Sequence, residues 1–97
     1  MPHLKFQERF YQDVRDIWRH IAEDHVGSAD AWVQALDRKL ELLASQPHMG
    51  KPHPYLNAGY RVHPFGSYSI IYKPIKDGIQ AVRILHGARL FLRAWNS

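Results

Sequence analysis

Between Phe10 and Ile21 the apolar residues fall at Phe10, Val14, Ile17, Trp18 and Ile21, with Arg15, Asp16, Arg19 and His20 between them. This i, i+4, i+7, i+8, i+11 spacing draws one stripe along a helix and predicts α-helix from about Glu8 to His25. Ahead of it, Leu4 to Phe6 reads as a short strand. Gly27 offers a helix stop, and Ser28 an N-cap for a second helix with Asp30 in its first turn, where negative charge complements the helix dipole. Ala29, Val33, Leu36, Leu40 and Leu43 then repeat in steps of four and three until Ser45, just before Pro47. Two helices joined so tightly predict an antiparallel hairpin.

Pro47, Gly50, Pro52 and Pro54 fill the stretch up to Asn57 and carry no apolar period, which marks an irregular connection. From Gly59 the period becomes two. Tyr60 and Val62 alternate with Arg61 and His63, and Tyr68, Ile70 and Tyr72 with Ser69, Ile71 and Lys73, with a turn at Gly66-Ser67. Asp77-Gly78 is a hairpin signal, and Ile79 to His86 reads as the next strand. A docked terminal turn is expected from Ala88 to Trp95. The pattern predicts an α+β fold: an N-terminal strand and a two-helix hairpin packed on one face of a three- to four-stranded antiparallel sheet, the other face left for a partner.

A chain of 97 residues, 45% hydrophobic and 23% charged, suits one folded domain spanning 1–97. The absence of cysteine removes disulfides, thiolate metal sites and cysteine nucleophiles. The N-terminal residues lack a signal-peptide core and no stretch approaches a membrane span, so a soluble, unprocessed, cytoplasmic protein is expected. Thirteen Lys and Arg against nine Asp and Glu give a formal charge of +4, which favours acidic partners: nucleic acid, an acidic peptide or an acidic protein surface. His48 and His53 flank Gly-Lys-Pro without any further ligand to complete a zinc site, so neither a metal nor a cofactor is expected. Tyr60, Phe65, Tyr68 and Tyr72 also fit a base-stacking platform, although half of them should face the helices as core.

Three segments, covering nearly the whole chain, resemble the RelE/ParE superfamily of type II toxin-antitoxin toxins, and ParE more than its RNA-cleaving members. They are Asp16-Ile17-Trp18 through Ile21-Ala22-Glu23, Leu42-Leu43-Ala44 through Pro47 to Pro52, and Gly59-Tyr60-Arg61 through to Val82-Arg83-Ile84-Leu85-His86-Gly87-Ala88-Arg89.

Two activities share this fold, so individual positions must choose between them. Ribosome-dependent messenger RNA cleavage needs a base, an acid and cations around the scissile phosphate. His86 is the candidate base in that reading, but ParE-like members commonly share this His-Gly, and a strand-end histidine also has an ordinary structural role. RNA-cleaving members typically carry arginine where this chain has Ser69, and a hydroxyl cannot replace a bidentate guanidinium. RelE also has paired lysines on the preceding strand, where this chain offers Arg61 and His63. The resemblance therefore implies a ParE-like inhibitor that traps DNA gyrase on cleaved DNA and is not necessarily an enzyme, with a RelE-like ribosome-dependent mRNA endoribonuclease as the alternative. Arg61, His63, Arg83, His86 and Arg89 are the expected target-facing cluster, each arginine having the alternative fate of a solvated charge or an ion pair. The implied partner is an acidic, amphipathic ParD-type antitoxin anchored on Trp32, Phe91 and Trp95, with Trp18 assigned to core packing.

Overall fold

In the computed structural model, which describes residues 2–53 and 56–87, the predicted order of elements is reproduced: β1 (His3–Phe6), α1 (Glu8–Asp24), α2 (Val26–Ser45), β2 (Arg61–Phe65), β3 (Tyr68–Ile75) and β4 (Gly78–His86). The predicted terminal turn, with Arg89, Phe91 and Trp95, lies outside the described residues.

The sheet runs β1-β4-β3-β2. β2, β3 and β4 form the expected antiparallel meander, but β1 joins β4 in parallel, with Leu4 opposite Ile79 and Phe6 opposite Ala81. A parallel pair needs a long crossover, and here the intervening chain, including both helices, supplies it. β4 thus lies inside the sheet, which is why it reads as a nearly continuous apolar run.

Turn chemistry is sharper than the dipeptide signals suggest. Gly66 takes φ +58° in the two-residue turn after Phe65, as expected. In the next hairpin the left-handed position is Asp77, at φ 62°, while Gly78 already belongs to β4. Gly78 is needed for a different reason: a Cβ there would overlap the backbone of its β1 partner His3.

The helices are joined by one residue. His25 ends α1, its N–H bonded to Ile21 O at 3.1 Å, and it also begins α2, its Nδ1 accepting from Ser28 N–H at 3.0 Å. The expected Gly27 stop and Ser28 cap are therefore displaced into α2 by an imidazole that performs the capping.

Phe10, Leu36, Leu40, Leu43, Ile70, Tyr72, Ile79 and Ile84 form the core between the helices and the sheet. A smaller cluster of Ile71, Val82 and Leu85 lies on the other sheet face, packed with Leu56, Tyr60 and Val62. Among the described residues no helix is long and apolar enough to cross a membrane.

Candidate functional site

Val82 has no partner in the β3–β4 register: Ile71 pairs with Arg83 and Tyr72 with Ala81. This bulge lies just past the end of β1, where the edge of β4 is left for α1 to cover. Asp13 on α1 fills the gap. Its Oδ2 accepts from Arg83 Nε at 2.7 Å and from Ile84 N–H at 3.2 Å, and its Oδ1 from Arg83 Nη2 at 3.0 Å. Both side chains are only 11% exposed. Arg83 therefore ties α1 to the sheet, in the ion-pair role open to each arginine, and does not stand out as a target-facing cation.

Arg61 is diverted too. Pairing opposite Tyr72 turns it to the helix side of β2, where its Nη1 donates to Gly50 O at 2.6 Å and to His48 O at 3.4 Å. Tyr72, fully buried, completes this anchor: its hydroxyl accepts from Gly50 N–H at 2.7 Å and donates to Pro47 O at 2.8 Å. Burial pushes the Tyr72 phenol above its ordinary range, opposed by the Gly50 N–H and by the charge of Arg61. The Pro/Gly connection is thus held by two side chains from the strands, and Lys51 adds a two-way backbone pairing with Val62 at 2.9 Å.

His63 shares a strand face with Arg61, as alternation requires, but it is the covered face. It lies opposite Ile70, and burial, followed by the charge of Lys39, holds its imidazole below the ordinary histidine range.

His86 alone of the described four is exposed, in edge-to-face contact with Tyr68 at 5.2 Å between ring centroids. It lines a shallow depression with Tyr68 and the α1 residues Asp16, Ile17 and His20. The described members of the expected cluster are therefore dispersed: Arg61 to the loop, His63 to the helix side of β2, Arg83 to α1 and His86 to solvent. Among the described residues, no three His, Asp or Glu side chains converge to hold a metal.

Trp32 and Trp18 lie in different surroundings. Trp32 packs towards the sheet, its ring 5.9 Å from Phe65 and 5.6 Å from Tyr68, beside the core. Trp18, eight residues after Phe10, lies about 80° round the helix from it, at the margin of the stripe. There its Nε1 donates to Asp30 Oδ1 at 3.0 Å across the hairpin, and its ring lines a largely apolar groove with Val14 and Val33, bordered by Arg15, Arg19 and Gln34. The sequence contained the signal for this groove: a stripe too wide for one core face, with arginines along its flank.

Residues 4–91 match the family model described as the ParE toxin of the type II toxin-antitoxin system, parDE. The chain belongs to the ParE toxin family. It is 31% identical over 88 residues to Toxin ParE1 of Caulobacter vibrioides, covering 89% of this chain and 90% of that protein. A solved structure described as the chromosomal ParDE TA system from P. aeruginosa superposes with a TM-score of 0.74, covering 90% of this chain and 97% of the other at 21% identity, and so shares the fold. This family member is a ParE-like toxin of a type II toxin-antitoxin system with an α+β architecture.

Proposed function

We propose that this ParE family member arrests growth in the cytoplasm by poisoning DNA gyrase and is neutralised by an acidic ParD-type antitoxin. Membership of the ParE family over residues 4–91 carries the reading. The site geometry supports it from the other side. A ribonuclease needs fixed cations about its base to stabilise the phosphorane. Here Arg83 is held by Asp13, Arg61 by the Gly50 carbonyl, and Ser69 stands where RNA-cleaving relatives carry arginine. Among the described residues, His86 shares its depression with Tyr68, Asp16, Ile17 and His20, and no lysine or arginine lines it.

For the antitoxin, the groove between the helices suits an amphipathic acidic segment that folds on binding. Val14, Trp18 and Val33 receive its apolar side chains, and Arg15 and Arg19 meet its carboxylates. Phe91 and Trp95 remain further anchors on sequence grounds.

The test incubates the antitoxin-free protein with gyrase, ATP and plasmid. Inhibited supercoiling with accumulation of cleaved DNA is the expected result. A folded protein that leaves gyrase untouched but cuts messenger RNA on the ribosome, with activity lost in His86→Ala, would overturn it.

A further inference from the structure

The register of the sheet builds a cationic surface that no local stretch of sequence contains. Lys5 pairs with Gln80 across β1 and β4, and Gln80 pairs with Lys73 across β4 and β3, so the three side chains form one row. Their chain neighbours Leu4, Phe6, Ile79, Ala81 and Tyr72 all point into the helix-side core, which puts the row on the opposite face, the one that also carries the cluster of Ile71, Val82 and Leu85. Strands stand about 4.8 Å apart, so Lys5 and Lys73 are spaced by roughly 10 Å. His3 and Lys76 extend the patch around a shallow depression shared with Lys5 and Gln80.

Lys5, Lys73, Lys76 and His3 are all exposed, and none makes a salt bridge among the described residues. Asp77 is the carboxylate lining the depression, and the Lys73 ammonium rests 5.7 Å from the centre of the Tyr60 ring. Unpaired lysines gathered on one flat face repel one another, and an anionic partner relieves that repulsion.

We propose that this face binds the phosphodiester backbone of a nucleic-acid duplex. Of the residues that line the depression, His3, Lys5, Lys76, Asp77 and Gln80 are polar or charged and Ile75 is the hydrophobic side chain. An amphipathic acidic peptide would find little here for its apolar side, whereas a phosphate backbone needs only the cations. Tyr60 is engaged by Lys73, so contact runs through phosphates, not stacked bases, and is indifferent to sequence. The inference goes beyond gyrase poisoning and does not depend on it: the toxin would contact nucleic acid itself, wherever its protein target holds a duplex.

The experiment measures anisotropy of labelled DNA and RNA duplexes of one mixed sequence titrated with the full chain, free of gyrase and ribosomes, at about 50 to 200 mM salt. Three phosphate contacts on DNA give a slope of about −2.7 in log affinity against log salt, or roughly a forty-fold loss over that fourfold range. The triple variant Lys5→Gln/Lys73→Gln/Lys76→Gln, checked for an unchanged melting temperature, is expected to lose nearly all of that slope on whichever duplex binds. Arg9→Gln/Arg38→Gln, on the helices, should retain it. Preference for DNA or for RNA identifies the source of the backbone and supports the proposal either way. No binding to either duplex, equal losses in both variants, or binding of polyglutamate alone through the three lysines would overturn it.

Discussion

Asp13 holds Arg83 by two hydrogen bonds, and the same carboxylate accepts from the Ile84 N–H that β1 is too short to reach. One side chain thus satisfies a sheet edge and a guanidinium at once, using a bulge that gives β4 one extra residue. Arg83→Glu should accordingly lower stability by about 2–4 kcal/mol, because it sets two carboxylates together in a largely dehydrated place. Loss of toxicity in that variant reports misfolding unless stability is measured with it. The swap Asp13→Arg/Arg83→Glu should recover part of the loss in a denaturant melt; a swap no more stable than Arg83→Glu would show that the pair is not the cause.

Tyr72→Phe preserves the ring and removes two hydrogen bonds to the Pro47–Gly50 connection, one buried and one partly buried. The expected cost is about 1–3 kcal/mol, from the stranded N–H and C=O groups. Faster amide exchange at Gly50 is the diagnostic sign. Unchanged protection there would mean that Arg61 suffices to hold the loop.

The capping of α2 by His25 is separable from its other properties. His25→Ala should cost about 1 kcal/mol, and His25→Asn, which keeps an acceptor for Ser28 N–H, should cost much less. Chemical denaturation of the two variants side by side checks this, and equal losses would reject the cap.

Acid should weaken the fold through His63. Its folded-state pKa lies below the ordinary value of 6.5, so the unfolded chain takes up the proton first. The contribution is complete above about pH 6.5 and is lost as pH falls through the lower folded value. Subtracting the stability-pH curve of His63→Gln from that of the native chain isolates this effect. A difference that stays flat below pH 6.5 would remove His63 from the account.

The groove between the helices gives a binding prediction. Trp18→Ala/Val33→Asp should weaken antitoxin affinity at least about a hundredfold, by removing an aromatic anchor and burying a charge against apolar side chains. Trp32→Ala should act chiefly on stability, because its ring packs against Phe65 and Tyr68. Calorimetric titration with the antitoxin, set beside thermal melts, separates the two, and the reverse pattern would make Trp32 the anchor.

Periodicity alone determined the elements of this protein. Helical and strand spacing are properties of the local backbone, so the stripe from Phe10 to Ile21, the leucines of α2 and the alternation from Tyr60 to Tyr72 translate directly into structure. Their order, together with the His86-Gly87 strand end, made the family legible as well. The tertiary structure decided everything that depends on which distant group a side chain meets. It turned β1 parallel, gave the cap to His25, set Trp32 against Phe65 and Tyr68, and tied Trp18 to Asp30. Arg61 and Arg83 look like free cations in sequence because Gly50 and Asp13 are remote along the chain. Lys5, Gln80 and Lys73 become neighbours only when the register is fixed. Charge is counted along a sequence, but its partners are set by long-range pairing, and that pairing is what the fold adds.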